Sequence, residues 1–447
     1  MSFSPASLRA VLEAHTPPAA TGLVVALSGG MDSACLATAL ALLPKSAVRQ
    51  WPVRAVHVDH GLQAAAAAFR RACAALCERL DLPLTVIEVS VDSSAGVSLE
   101  AAARDARYLG LSRELEVGEC LLTAHHAQDQ AETLLLQLLR GAGLKGMSGM
   151  PMCRALGAGW HLRPLLDVAK RDLLRFGEAA GVSATTDPMN QDQRFDRVYL
   201  RSQIWPLLEQ RWPGAPAALS RAARHMADAQ ALLDQAAAAA VQRLRDGNAL
   251  SMTGLRVLTA AQQLNALRFW IGCQGVPVPP TARLVEALRQ FSDARDDHLP
   301  AIAWGAHALR RYRQRLFLTE AQPPRMGEPV PWLPSPESRL PLGDALGRLS
   351  WCSQRGGLDP SRLPGTLTVR RRVGGETLRP HPHAKTHSVQ HLCQALGVLP
   401  WMRDALPLVY AGESLVAVAD LWQDARWCVG AEVPGLGVVW QDAPIVA

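Results

Sequence analysis

The chain runs GLVVALSGGMDSACLATALALL from Gly22 to Leu43, and this stretch decides the fold. Its first part, Gly22 to Leu27, is a short apolar run that predicts a buried strand, and Ala34 to Leu43 predicts a helix packed behind it. Between them, Gly29 and Gly30 let successive backbone N–H groups converge on one anion at the start of the helix. We therefore predict a phosphate-binding loop that consists of Ser28, Gly29, Gly30, Met31, Asp32 and Ser33.

Asp32 places a carboxylate inside this anion site. It would repel phosphate unless a cation stood between them, so the expected ligand is a nucleotide with bound Mg²⁺. The lysine of a Walker loop and the spacing of a dinucleotide fingerprint are both missing. The loop matches S-G-G-x-D-S and so resembles that of the N-type ATP pyrophosphatases (PP-loop enzymes), which release pyrophosphate and leave AMP on a substrate oxygen. A glycine-rich turn without a ligand is the alternative.

Strand and helix patterns alternate as far as residue 181. Further strands are predicted at 53–58, 84–91, 120–124 and 162–166. This alternation predicts an α/β fold with a doubly wound, Rossmann-like parallel sheet. Polar residues follow two of the strands, Asp59-His60 and His125-His126, at the edge where open α/β sheets bind ligands.

Length and composition limit the remaining possibilities. The chain has 447 residues, so two or three domains are expected. No apolar run is long enough to span a membrane and no signal peptide is evident, which predicts a cytoplasmic protein. Its nine cysteines include no C-x-x-C pair, so we expect reduced cysteines in the core, and the net charge of +6 suggests a polyanionic partner.

The pattern changes after residue 214, and we predict four segments. They are an N-terminal catalytic domain at 1–214, a helical substrate-binding domain at 215–321, a proline-rich linker at 322–360 and a small α+β C-terminal domain at 361–447. Within 308–318, one strand is expected to carry Arg311, Arg313 and Arg315 on one face, as a solvated face or an RNA contact.

The C-terminal segment carries a basic cluster that we predict to contact an RNA phosphate backbone. Its members are Arg370, Arg371, Arg372, Arg379 and Lys385. The alternative is a solvated edge without a ligand.

Several signatures in order resemble the tRNA(Ile)-lysidine synthases. Besides the loop, they are EAAARDARY (100–108), TAHHAQDQAETLLLQLLRGAGLKGMSGM (123–150), RPLL (163–166), DPMNQDQRFDRVYLR (187–201), VRRRVGGETLRP (369–380) and PWMRDALPLVYAGESLVAVADLW (400–422). The resemblance implies adenylation of the C2 oxygen of the wobble cytidine in the CAU anticodon of tRNA(Ile). The amine of free L-lysine then displaces AMP. It also implies a possible homodimer.

Six residues are candidates for this chemistry. They are Asp32, Arg104, Arg107, His125, His126 and Asp129. A magnesium bound by Asp32 and Asp129 would neutralise the departing pyrophosphate together with the loop amides and hydroxyls. One histidine would stabilise phosphate charge or accept the proton of the lysine amine. The arginines would bind phosphate or cytidine, although Arg107 could instead pair with Glu100 or Asp105.

Three positions depart from the family pattern. Gln128 replaces the first of two consecutive acids, so we expect Asp129 to be the essential one. Asp59 stands where asparagine is common, and 387–391 carries histidines where the family tends to have arginine and lysine, which shifts phosphate contact to the arginines of the basic cluster.

Three alternative functions stay open at this stage. A tRNA thiolase of the same superfamily would need cysteines that carry sulfur, and no C-x-x-C is present. A synthetase of the amidotransferase type would need an N-terminal catalytic cysteine or a glutaminase segment. A non-catalytic RNA-binding protein with a degenerate nucleotide fold is the third, and Gln128 leaves room for it.

Overall fold

The structure is a computed structural model that describes residues 3–44, 51–59, 66–90, 99–183, 194–295 and 298–444. The chain forms two compact units, Met1–Leu233 and Asp234–Ala447. The division into four segments stays a prediction.

Strands and helices alternate in the first unit. The strands are β1 (Gly22–Leu27), β2 (Val53–Asp59), β3 (Leu84–Glu88), β4 (Glu119–Leu122), β5 (Cys153–Leu156) and β6 (Gly159–Leu162). The helices are α1 (Pro5–His15), α2 (Met31–Ala41), α3 (Ala66–Leu80), α4 (Leu99–Glu114), α5 (Ala127–Leu139), α6 (Leu144–Met147), α7 (Lys170–Ala179), α8 (Asp196–Tyr199), α9 (Trp205–Arg211) and α10 (Ala215–Leu244), and a π-helical turn covers Leu200–Ile204.

The strand order in the described sheet is β3-β2-β1-β4-β6-β5. β1 pairs in parallel with both β2 and β4, which confirms the doubly wound parallel sheet. Chain order reverses between β1 and β4, and ligands of such sheets bind beyond the carboxyl ends of the strands at this switch point. The predicted loop and His125 follow those two strands.

Alternate residues of β1 enter two different cores. Leu23, Val25 and Leu27 belong to the larger core, which also contains residues of α2 and α7. Val24 belongs to a second core with Leu111 of α4. Because both faces of the strand are covered, its sequence is continuously apolar rather than alternating.

The predicted strand at 162–166 was wrong in its bounds. The observed strand β6 ends at Leu162, and β5 pairs with it antiparallel as an edge hairpin that the sequence analysis missed. Edge strands are short and partly exposed, as Arg154 is here, so they lack the apolar run that signals a buried strand.

The second unit begins within α10 and contains a helical part and several antiparallel sheets. Its helices are α11 (Met252–Val257), α12 (Ala260–Cys273), α13 (Thr281–Asp293) and α14 (Val389–Leu396). Its strands are β7 (Arg245–Asp246), β8 (Ala249–Ser251), β9 (Ala301–Trp304), β10 (His307–Tyr312), β11 (Arg315–Glu320), β12 (Val330–Trp332), β13 (Arg339–Pro341), β14 (Arg348–Arg355), β15 (Leu367–Arg370), β16 (Thr377–Leu378), β17 (His387–Ser388), β18 (Leu408–Ala411), β19 (Ser414–Val418), β20 (Trp422–Gln423) and β21 (Pro434–Gln441).

The single strand predicted at 308–318 is in fact a hairpin. β10 and β11 pair antiparallel, and the turn between them holds Arg313 at φ 53°. Arg311 is buried and donates to the carbonyl oxygens of Phe291 and Ala294 at 2.7 and 2.6 Å. The predicted arginine face therefore does not exist, because the turn separates Arg315 from Arg311.

The structure bears on the expected reduced cysteines and on the expected lack of a membrane span. Cys73 and Cys77 are buried in α3, whereas Cys273 and Cys352 are exposed, and all nine cysteines are free thiols. No helix in the described ranges has the length and hydropathy to span a membrane.

Candidate active site

The predicted loop forms the turn between β1 and α2. Gly29 has φ +81°, and Gly30 is the N-cap residue of α2. The Gly30 N–H donates to Ser28 Oγ (3.3 Å), the Ser28 N–H donates to Ser33 Oγ (3.2 Å), and the Ser33 hydroxyl donates to the Gly30 carbonyl (3.0 Å). These bonds fix the shape of the loop at the amino end of a helix, where an anion is stabilised.

We expect Gly29→Ala to weaken ATP binding at least about 10-fold, because a β-carbon there would lie 2.7 Å from Phe69 Cδ1 and displace the loop. Gly181→Ala is the matched control, since Gly181 also has positive φ (+63°) but a β-carbon at that position would have nothing within 4 Å. Calorimetric titration with a non-hydrolysable ATP analogue checks this. Equal affinity in the two variants would contradict a nucleotide role for the loop.

His126 connects the loop to α5. It is the N-cap residue of that helix: its backbone N–H donates to Asp129 Oδ2 (3.0 Å), and its Nδ1 accepts from the Asp129 N–H (3.4 Å). Its Nε2 lies 3.6 Å from Asp32 Oδ2, and its side chain is 1% exposed. His126 therefore contacts both predicted carboxylates from a buried position.

Asp32 is held as a carboxylate. Burial alone would raise its pKa, but the adjacent His126 side chain, with smaller contributions from Lys170 and Arg201, brings the pKa below its ordinary value. Its Oδ1 is buried and has no hydrogen-bond partner among the described residues. A charged oxygen without a donor indicates a missing cation or donor.

Asp129 belongs to a partly buried ion-pair network with Glu132 and Arg201. Arg201 Nη2 donates to Asp129 Oδ1 (3.0 Å), and Arg201 binds Glu132 through two bonds, Nε to Oε1 (2.9 Å) and Nη2 to Oε2 (2.7 Å). The Glu132 side chain is 0% exposed. Burial would raise the pKa of Asp129, but His126 and Arg201 hold it below its ordinary value. Sequence reasoning missed Glu132 and Arg201.

Arg197 is a further cavity residue that sequence reasoning missed. Its Nη2 donates to Thr133 Oγ1 (2.8 Å), and its Nε lies 3.7 Å from Glu132 Oε2. Arg197 and Arg201 are four residues apart where α8 continues into the π-helical turn, an irregularity often found at functional sites. Two arginines at helical spacing within the 187–201 signature are the signal that could have identified them.

Gln128 faces a different part of the molecule from Asp129. Its amide donates to Glu132 Oε1 (3.2 Å), and it lines a separate cavity beside Lys170 and Arg171. The residue thus supports the ion-pair network through a neutral donor. The substitution of glutamine for an acid removes no carboxylate from the cavity that Asp32 and Asp129 line.

Arg104 and Arg107 surround Tyr108 on α4. Their guanidinium carbons lie 5.1 and 5.7 Å from the centroid of the tyrosine ring, within range of cation–π attraction. Burial lowers the pKa of Arg107 from its ordinary value. In the described residues no ion pair of Arg107 is present, and the side chain of Glu100 lies outside them.

His125 lies three residues beyond the carboxyl end of β4. Its Nδ1 is 2.7 Å from Thr123 Oγ1, and burial lowers its pKa to about 3, so the imidazole is neutral at physiological pH. His60, the other predicted histidine, lies outside the described residues. Asp59 ends β2 and lines the same cavity as His125.

One cavity of about 370 Å³ brings most of these groups together. Its polar and charged lining includes Ser28, Asp32, Ser33, Asp59, Arg104, Arg107, His125, Asp129, Arg197 and Arg201. Five of the six predicted catalytic residues are in this lining; the sixth, His126, is buried behind Asp32 and Asp129. The volume falls within the usual range for small-molecule sites.

The basic cluster of the second unit is not uniformly exposed. Arg371 and Lys385 are exposed, whereas Arg372 and Arg379 are half-buried. Arg370 is half-buried too, with its guanidinium carbon 3.8 Å from the centroid of the Tyr410 ring and its Nη2 3.7 Å from Glu413. Arg371 and Lys385 are therefore the members most available to a polyanion.

Comparisons with known proteins agree with these features. A PP-loop domain model matches residues 4–208, a TilS substrate binding domain model matches 250–317, and a TilS substrate C-terminal domain model matches 367–440. A solved U34-tRNA thiolase, NcsA from Methanococcus maripaludis with its [4Fe-4S] cluster, is 15% identical, with a TM-score of 0.40 over 49% of this chain and 78% of that chain.

Similarity to two curated relatives covers most of the chain. The tRNA(Ile)-lysidine synthase of Alkalilimnicola ehrlichii is 39% identical over 414 residues, 91% of each chain. The tRNA(Ile)-lysidine synthase of Coxiella burnetii is 38% identical over 396 residues, 88% of this chain and 87% of the relative. Together with the loop and the cavity described above, these matches establish that the chain belongs to the tRNA(Ile)-lysidine synthase family.

Proposed function

We propose that this chain ligates L-lysine to C2 of the wobble cytidine in the CAU anticodon of tRNA(Ile), with conversion of ATP to AMP and pyrophosphate. The product, lysidine, reads AUA instead of AUG and changes the tRNA identity from methionine to isoleucine. The observation that carries the proposal is the cavity in which the SGGMDS loop, Asp32 and four arginines meet at the switch point of the sheet.

The first step attaches AMP to the C2 oxygen of the cytidine, because this oxygen is a poor leaving group until it is adenylated. Attack on the α-phosphorus builds negative charge on the departing pyrophosphate. The amino end of α2 and the Ser28 hydroxyl would bind that charge, and Arg104 and Arg201 line the same cavity.

The residues present fit one magnesium ion. Asp32 offers a charged, buried Oδ1 that no described residue contacts by a hydrogen bond. Both oxygens of Asp129 already accept hydrogen bonds, one from Arg201 and one from the His126 N–H. We therefore assign Asp129 mainly to positioning these two residues and only secondarily to metal binding. In the described ranges no three His, Cys, Asp or Glu side chains are grouped to hold a metal, which suits an ion bound mainly through ATP phosphates. Such an ion would neutralise phosphate charge.

In the second step the lysine amine must attack in its neutral form, although its ordinary pKa is about 10.4. A nearby positive charge disfavours the ammonium form. Arg104, Arg107, Arg197 and Arg201 line the cavity and act in this direction, whereas the carboxylates in the same lining favour the ammonium form.

The order of the two steps can be tested without lysine. Incubation of the enzyme with tRNA(Ile) and ATP labelled at the α-phosphate is expected to yield labelled tRNA and free pyrophosphate, and later addition of lysine is expected to release the label as AMP. Label that enters the tRNA only when lysine is present would contradict a separate adenylation step.

We expect the double variant Arg371→Gln, Lys385→Gln to weaken tRNA binding and to reduce the slope of log affinity against log salt by about 1 to 2, because each exposed cation contacts about one phosphate. Arg355→Gln, which removes an exposed arginine paired with Glu432, is the control. Filter binding over a series of salt concentrations measures the slope. A slope equal to that of the control would make the cluster structural.

A further inference from the structure

The polar side chains behind His125 form a continuous chain of hydrogen bonds. Arg163 Nη2 lies 3.1 Å from His161 Nδ1, His161 Nε2 lies 2.8 Å from Thr123 Oγ1, and Thr123 Oγ1 lies 2.7 Å from His125 Nδ1. Thr123, His161 and Arg163 are all buried, and only His125 is partly exposed. The chain thus begins in the interior and ends in the cavity.

Arg163 fixes the direction of the first bond in this chain, since a guanidinium can only donate. His161 Nδ1 must therefore accept, and a neutral His161 then carries its proton on Nε2 and donates to Thr123. Thr123 Oγ1 accepts from His161, and among the described residues His125 Nδ1 is the one remaining acceptor that it contacts, so the hydroxyl proton is donated to His125. His125 Nδ1 is consequently an acceptor, and the proton of its neutral ring is on Nε2.

The surroundings keep His161 neutral and Arg163 charged, as these bond directions require. Burial lowers the pKa of His161 to about 3, and nearby Arg163, Arg154 and Arg104 act in the same direction. Burial also lowers the pKa of Arg163, but only to about 10, so its guanidinium remains charged at neutral pH.

We infer that Thr123, His161 and Arg163 are positioning residues that fix His125 as a neutral imidazole with an Nε2–H donor available to the cavity. His125 is then a hydrogen-bond donor to an oxygen of the bound substrates and does not accept the proton of the lysine amine, since its remaining lone pair is held by Thr123. In this inference the identity of the substrates rests on the proposed function, whereas the tautomer of His125 does not.

The first experiment measures the tautomer in the full-length wild-type protein. Nitrogen NMR of protein labelled with ¹⁵N-histidine distinguishes protonated from unprotonated ring nitrogens, and His125→Gln identifies the signals of His125. The expected result near pH 7 is a protonated Nε2 and an unprotonated Nδ1. A protonated Nδ1 or an imidazolium would overturn the inference, whatever reaction the enzyme catalyses.

The second experiment compares Thr123→Val, which keeps the shape but removes the hydroxyl, with Thr123→Ser, which keeps the hydroxyl. We expect Thr123→Val to disturb the His125 tautomer signals and to slow tRNA adenylation about 10-fold or more, whereas Thr123→Ser should restore both. Wild-type signals and rates in Thr123→Val would overturn the inference. If Thr123→Val does not fold, the wild-type spectrum decides. Absence of adenylation in the wild type would instead contradict the proposed function.

Discussion

Asp32→Asn is expected to lower lysidine formation by about 10²- to 10³-fold while tRNA affinity changes little. The substitution keeps the size of the side chain but removes the charge of the buried Oδ1, which has no hydrogen-bond partner in the described part of the chain. Initial rates of pyrophosphate release, measured beside tRNA binding, check this.

Asp105→Asn is the control for loss of one negative charge, since Asp105 is exposed on α4 and lies outside the cavity lining. It should behave as the wild type. Comparable activity in Asp32→Asn and Asp105→Asn would remove the role that we assign to the Asp32 carboxylate.

Arg201→Met is expected to have two separate effects. The first is a loss of stability of about 3 to 5 kcal/mol, because it leaves the Glu132 carboxylate buried with only Arg197 at 3.7 Å as a cation. The second is a large loss of activity, because Arg201 lines the cavity and binds Asp129. Denaturant unfolding and pyrophosphate release measure the two effects independently.

The double variant Arg201→Met, Glu132→Gln separates them. Neutralising Glu132 should recover much of the lost stability, because the fully buried carboxylate is then uncharged, but activity should stay low because Asp129 still lacks Arg201. Arg211→Met, which removes an exposed arginine stacked on Trp212, controls for the loss of a surface arginine. Recovery of activity in the double variant would show that Arg201 acts only through stability.

The strand, loop and helix at 22–43 could be predicted because each has a local cause. The apolar run, the paired glycines and the helical pattern are contiguous in the sequence, and Gly29 has the positive φ that only glycine adopts readily. The same holds for the position of His125 and Asp129, which follow a buried strand and so lie at the ligand-binding edge.

The ion-pair network could not be predicted in the same way. Glu132 and Arg201 are 69 positions apart, and only the fold brings their side chains together. Gln128 looked like a lost metal ligand in the sequence, yet its side chain donates to Glu132 and does not line the cavity. The helix places neighbouring residues on different faces, so adjacency in a signature does not imply a shared site.

For the arginines at 311, 313 and 315, the sequence suggested a shared face that the structure does not have. Their alternation suggested one strand face, because neither Arg313 nor Gln314 is a typical residue of a two-residue turn. The structure places the turn at these two residues and buries Arg311 among backbone carbonyl groups. A tight turn made by untypical residues leaves little signal in the sequence.

The incorporation of radiolabelled lysine into tRNA tests the central claim most directly. The enzyme would be incubated with ATP and magnesium and either tRNA(Ile) with a CAU anticodon or tRNA(Met) with the same anticodon. We expect label in tRNA(Ile) alone, with one AMP and one pyrophosphate released per lysine. Pyrophosphate release that depends on tRNA without any lysine label, or tight tRNA binding without turnover, would contradict the proposed function.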